Sequence, residues 1–225
     1  GQTVRAEEIV MSSVLAQGTS SRTQADLRAA TSSLARMKKY PSDLVFKSGK
    51  MSDPRIIALS DAAHNGKEQG GRQLGGALLL ADVETGVTHL VDWYSRKSPR
   101  ISSGPSGTEI QAGASIHDRA VWYQTILYET FGRCYPIVMG TDSGNLFRQV
   151  QGLRQPNGEM RSAREVQTIR DSLEDGTVRC LVKLTTKQIM ADVLTKTSTR
   201  GRKQMMCLVQ GNPDEHWREA LGRDK

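Results

Sequence analysis

Four carboxylates stand where elements of structure begin, end or meet apolar neighbours, and they are the residues best placed to do chemistry. Asp61 follows a short apolar run, in Leu59-Ser60-Asp61-Ala62-Ala63, and Asp142 follows another, in Met139-Gly140-Thr141-Asp142-Ser143. Glu109 opens a long helical stretch on the face it shares with Ala112 and Ile116, and Asp192 lies in Ile189-Met190-Ala191-Asp192-Val193-Leu194. If the two apolar runs are neighbouring strands, Asp61 and Asp142 come side by side, and helices can bring Glu109 and Asp192 onto the same patch. Like charges at such range repel unless cations sit between them. Hard oxygen donors suit magnesium or manganese. Two such ions about 4 Å apart can clamp an in-line displacement at phosphorus, one activating the attacking water and the other stabilising the leaving 3′-oxygen. Each acid also has a plainer reading: a turn or cap residue after a strand, a dipole partner at a helix start, or a solvated helical acid for Asp192. Spacing alone leaves both readings open.

The elements that must position these acids can be read from periodicity and punctuation. Residues 3–17 read as a helix, and residues 18–22 as a polar break. Thr23 starts a second helix with Asp26 in its first turn and Leu27, Ala30, Leu34 and Met37 at helical spacing, ended by Pro41. Residues 47–54 read as a linker. Three strands then follow at hairpin spacing, Arg55–Ser60, Gly75–Ala81 and Thr88–Ser95, which predicts an antiparallel meander. A helix is predicted from Thr108 to Phe131, with Ala112, Ile116, Ala120, Tyr123 and Leu127 on one face and Gly132 as its stop. Then come a strand at Pro136–Gly140, a short helix at Ser143–Gln151, a basic-acidic helix over 161–174, a strand at Val178–Leu184 and a last helix from near Lys187 that carries Asp192. This order predicts an α/β domain: a five-stranded mixed sheet, three antiparallel strands and then parallel ones, flanked by helices. Trp93 and Trp122 read as core residues, and His64, His89, His117 and His216 as structural or surface residues.

The charge balance points to phosphate-rich partners. The chain of 225 residues carries a net charge of +7, and residues 143–206, with twelve Lys/Arg against six Asp/Glu, hold most of that excess. Cys134, Cys180 and Cys207 have no zinc-type spacing and read as free thiols of a reducing compartment. No apolar run approaches the ~20 residues that span a bilayer, and the N-terminus lacks the shape of a signal peptide. The expected setting is intracellular, cytoplasmic (in virus-like particles) or nuclear. The chain begins at Gly1 and reads as a piece of a longer polypeptide.

Several stretches carry a resemblance. Ser60-Asp61-Ala62, the glycine-bearing Gly75-Gly76-Ala77, Trp93-Tyr94-Ser95-Arg96-Lys97, Ser102-Ser103 followed by Thr108-Glu109-Ile110-Gln111-Ala112, Trp122 through Gly132, Asp142-Ser143, and Ala191-Asp192-Val193-Leu194-Thr195-Lys196 stand in one order. In that order they resemble the ribonuclease H domain at the end of copia-type retrotransposon polyproteins. The last six residues are the most specific match, and the resemblance covers about residues 55–210. Residues 23–46 resemble the thumb helix and following strand at the end of a reverse transcriptase, although no polymerase motif with paired aspartates is present.

The resemblance implies a ribonuclease H-like fold and a metal-dependent endonuclease that cuts the RNA strand of an RNA–DNA hybrid. Asp61, Glu109, Asp142 and Asp192 would be both the catalytic residues and the ligands of two magnesium ions, with manganese as a substitute. Ser143, Asn145, Arg148, Arg161, Arg164 and Lys196 would contact the nucleic acid, with Arg154, Arg200, Arg202 and Lys203 as further basic candidates. Such recognition would rest on shape, phosphates and 2′-hydroxyls. The implied organisation is a helical segment over residues 1–50, the nuclease domain over 51–210 and a tail over 211–225, with a reverse transcriptase domain upstream as a partner. One departure stands out. Where the family has a His-bearing segment before its basic helix, this chain has Arg161-Ser162-Ala163-Arg164-Glu165-Val166. That departure implies slower turnover, or a part for Glu165 or Arg164. The competing readings are an integrase-like nuclease on the same fold and a catalytically inactive domain that only binds nucleic acid.

Overall fold

The computed structural model describes residues 5–17, 22–40, 43–48, 51–64, 72–100, 104–154, 159–185, 188–196 and 199–211, and every structural statement concerns these. Ser102, Ser103, His216 and the 212–225 segment lie outside them, as do the side chains of His64 and Arg200.

Five strands form one sheet: β1 (Pro54–His64), β2 (Arg72–Asp82), β3 (Thr88–Lys97), β4 (Ile137–Thr141) and β5 (Val178–Lys183). The order across the sheet is β3-β2-β1-β4-β5. β1 pairs antiparallel with β2, and β2 with β3, while β4 runs parallel to β1 and to β5. This is the mixed sheet that the order of elements predicts, with the first and fourth strands adjacent. Six helices surround it: α1 (Ile9–Gln17), α2 (Gln24–Lys39), α3 (Pro105–Phe131), α4 (Gly144–Val150), α5 (Met160–Glu174) and α6 (Thr199–Val209).

Alternation along the strands divides the core in two. Ile56, Ala58, Leu74 and Leu78 face α3, α4 and α5, meeting Ile110, Ala112, Ile116, Leu146, Val166 and Ile169. Ile57, Leu59, Ala77 and Leu79 face the other way and meet Ala6, Ile9 and Val10 together with Met190, Leu194, Met205 and Leu208. Each fully buried aliphatic side chain of this kind contributes roughly 1.5–3 kcal/mol. The N-terminal segment therefore closes one face of the sheet rather than standing apart from it. α2 lies further out: Leu27 and Leu34 are exposed, and its buried Ser33 donates a hydrogen bond to Glu8.

Caps set the helix limits that matter for the site. Thr23 and Asp26 form a reciprocal capping box on α2. Pro105 starts α3 three residues earlier than the periodicity suggests, and Gly132, with φ +66°, ends it by donating its amide to the Tyr128 carbonyl.

Three sequence expectations need correction. β1 does not end at Ser60. It continues to His64, because Asp61 through His64 stay paired with Gly75 through Arg72. Asp192 is not in the last helix. It sits in a separate 3-10 turn, Met190–Leu194, and α6 starts afresh at Thr199. The apolar letters of 189–194 mimic a helical face, but they form a short 3-10 turn that packs against β1 and β2. Trp122 is 59% exposed rather than in the core. It lies two residues past the buried Ala120, which at about 100° per residue turns it to the far side of α3. No helix among the described residues is long and apolar enough to cross a membrane.

Candidate metal centre

Three of the four acids converge. β1 and β4 are in register from Ile56↔Ile137 to Ser60↔Thr141, so Asp61, still within β1, and Asp142, just past the end of β4, come side by side. α3 packs across β1 and β2 and brings Glu109 over them from its second turn. Asp61, Glu109 and Asp142 each offer a carboxylate oxygen, and these oxygens lie within 4.8 Å of one another. Two glycines allow the close approach. A Cβ on Gly113 would meet Leu146 Cδ2 at 2.7 Å where α3 crosses α4, and one on Gly140 would meet Leu59 and Leu184 side chains at 2.8 Å behind Asp142.

The fourth acid sits beside this group. The carboxylate of Asp192 is bound by Lys196, one turn on. Its negative charge still acts on Asp61, and the ammonium of Lys196 acts on Asp61, Glu109 and Asp142. Asp61 is 4% exposed. Burial, followed by the charges of Asp142 and Asp192, pushes its carboxyl up to about 6, against the lowering effect of a hydrogen bond from Thr195. Burial, and then Asp61 and Asp142, push Glu109 up to about 8. The site thus concentrates acids where their charge is penalised. A divalent cation with hard oxygen preferences would remove that penalty, so the donor set fits magnesium or manganese.

Thr195, which the sequence offered only as a motif letter, enters here. Its buried hydroxyl donates to Asp61 Oδ2 and lies 3.1 Å from the Asp192 carbonyl. Gly75, the cross-strand partner of Asp61, leaves the room for it: a Cβ there would lie 2.8 Å from Thr195 Cγ2 and 2.9 Å from Leu194 Cβ.

The proposed nucleic-acid contacts spread outward from Asp142. Ser143 caps α4, accepting the Leu146 amide at 3.2 Å, so its hydroxyl has a structural duty. Asn145 Oδ1 accepts from Arg154 at 2.8 Å and from Arg148 at 3.3 Å. Lys183, at the end of β5, comes close to the same spot, since a Cβ on Gly144 would lie 3.4 Å from its Nζ and 3.7 Å from Arg148 Nη2. Its alternation within a strand hid it from a search for basic clusters. Arg161 and Arg164 are exposed on α5, which packs on α3 and α4. Glu165 accepts from Arg100 through Oε1. Lys196 is bound to Asp192. His117, buried, stands 2.9 Å from Ser172 Oγ on α5, which fits a structural role.

Comparison with solved structures turns up ribonuclease H domains. The chain is similar to LC11-RNase H1 in complex with an RNA/DNA hybrid, at 17% identity over 62% of this chain and 93% of that one, with a TM-score of 0.44. It is also similar to the foamy viral protease-reverse transcriptase in complex with an RNA/DNA hybrid, at 13% identity and a TM-score of 0.41, covering 83% of this chain but only 28% of that one. The RNase H domain of PFV gives 11% identity over 67% of this chain and 94% of that one, with a TM-score of 0.39. No protein-family model matches the chain, and no curated protein matches it.

Proposed function

We propose that this chain is a metal-dependent endonuclease that hydrolyses the RNA strand of RNA–DNA hybrids. The observation that carries the proposal is the meeting of Asp61, Glu109 and Asp142 within 4.8 Å, drawn from two neighbouring strands and a helix. Acids gathered where burial and mutual repulsion oppose their charge are a site for cations rather than a solvated surface. When bound, a pair of magnesium ions, or manganese in their place, supplies the activation of water and the stabilisation of the leaving 3′-oxygen. The chain's own acids orient that chemistry. Asp61 and Asp142 are fixed by the sheet, Glu109 by α3, and Asp192 stands ready at the rim behind Lys196.

The substrate class rests on the motifs that resemble copia-type retrotransposon ribonuclease H, with Ala191–Lys196 the most specific of them, and on the basic character of residues 143–206. Arg148, Arg161, Arg164, Asn145, Ser143 and Lys196 belong, on this reading, to the surface that follows the hybrid backbone. The reading also places a reverse transcriptase domain upstream of an N-terminal segment of residues 1–50, with the nuclease over 51–210 and a tail over 211–225. On this reading the setting is intracellular, either cytoplasmic, with virus-like particles included, or nuclear.

Cleavage of an end-labelled hybrid with magnesium or manganese tests the proposal, comparing wild type with Asp142→Asn. Cutting of the RNA strand, lost in the variant and in chelator, is the expected result. Salt-sensitive hybrid binding without cutting in either metal would overturn it in favour of an inactive binding domain. Cutting of DNA ends alone would point to an integrase-like nuclease.

A further inference from the structure

Thr195 is 2% exposed and stands at the end of the 190–194 turn, which packs against β1 and β2. Two independent features fix it there. The first is the hydrogen bond to Asp61 Oδ2, across 134 residues of chain. A hydroxyl donating to a carboxylate is among the stronger neutral-to-charged bonds, and here it engages one of the two oxygens of Asp61. The second is the seat made by Gly75. A Cβ at that position would come within 2.8 Å of Thr195 Cγ2, 2.9 Å of Leu194 Cβ and 3.1 Å of the Leu194 carbonyl carbon. The last two atoms belong to or adjoin the backbone and cannot swing aside, so any side chain on β2 opposite Asp61 would lift the whole turn.

We propose that Thr195, seated on Gly75, is a positioning residue of the metal centre. It holds Asp61 Oδ2 so that Oδ1 is presented to a cation shared with Glu109 and Asp142, and it ties the turn that carries Asp192 to the same point. The inference rests on the reading of these acids as metal ligands. Thr195 acts through Asp61. Partners that orient a ligating carboxylate typically govern affinity for the ion by about 10- to 100-fold.

The test reads metal binding directly, without nucleic acid. Manganese is titrated into the full chain and the free ion followed by electron paramagnetic resonance, for wild type, Thr195→Ser, Thr195→Val, Thr195→Ala and Gly75→Ala. Thermal melts show which variants are folded. Thr195→Val and Thr195→Ala should bind manganese about 10- to 100-fold more weakly. Thr195→Ser, which keeps the hydroxyl, should stay close to wild type. Gly75→Ala should reproduce the loss with the hydroxyl still present. Should the valine variant fail to fold, the alanine variant, which adds no bulk, decides the matter. Wild-type affinity in the folded variants that lack the hydroxyl would overturn the inference, as would a serine variant as weak as the valine one. A wild-type chain that binds no manganese would overturn the metal reading itself, and this inference with it.

Discussion

Glu109 and Asp61 are held where protonation is favoured, and this has a measurable consequence with a definite sign. Their native carboxyls sit at about 8 and about 6, against ordinary values of 4.5 and 3.8. The folded, metal-free protein therefore keeps protons that the unfolded chain releases, so its stability falls as pH rises from about 4 through about 8. Glu109→Gln removes the larger part of that dependence, and its melting temperature should be flatter across the window. Cation binding at pH 7 should expel about one proton, mostly from Glu109. Calorimetry in buffers of different ionisation enthalpy reads that number, and a value near zero would contradict the assignment. At this scale the convergence of Asp61, Glu109 and Asp142 was legible, because apolar runs mark the two strands and the long helix, although β1 runs on past Asp61. Thr195 was not legible as a partner of Asp61. Its role comes from a contact across the whole chain, through a gap left by the absence of a side chain on β2.

The elements share the work unequally. The parallel pair β1 and β4 sets two acids, and α4 and α5 carry exposed basic residues away from them. If Arg148, Arg161 and Arg164 contact phosphates, changing any one to alanine should weaken hybrid binding regardless of sequence. Each should also lower the slope of log affinity against log salt by about one. Fluorescence anisotropy at several salt concentrations reads the slope, and circular dichroism of each variant separates it from a loss of folding. Ser143→Ala has a different signature. It removes the α4 cap and should cost about 1 kcal/mol of stability with little change in salt slope. The positions of the strands along the chain and the long helix were readable because apolar runs and a 3.6-residue period extend over many residues, while the adjacency of β1 and β4 stood only as a condition. The 190–194 turn was read as a helix because five residues are too few to show a period. Trp122 was misplaced because an aromatic two positions off a buried stripe still looks apolar in one dimension.

Across the molecule, the sheet is covered on both faces, and neither cover is dispensable. Ile9 and Val10 belong to the same apolar cluster as Leu59, Leu79 and Leu194. Ile9→Ala should cost about 2–5 kcal/mol even though it lies far from the acids in sequence, and a chemical denaturation curve reads it. Saturating magnesium should raise the wild-type melting temperature. At 100 times the dissociation constant the gain is about 2.7 kcal/mol, or roughly 5–10 °C for a chain of this size. Asp142→Asn should melt higher than wild type without metal, because one repelling charge is gone, and should gain little from added magnesium. The packing of the N-terminal segment on the sheet was not legible, since its apolar positions reveal a buried face but not what covers it.

The pairing of Thr195 with Asp61 also bears on time. A ribosome delivers Asp61 early and Thr195 much later, and the chain between them must be made, folded and brought back before the two can meet. Until Thr195 has been made and brought back, Asp61 lacks the hydroxyl that orients it, although β1, β4 and α3 can already gather Asp61, Glu109 and Asp142. A polypeptide stopped after residue 185 should accordingly bind manganese more weakly than the full chain. On this view the proposed metal centre is completed only when the 190–194 turn docks on the sheet.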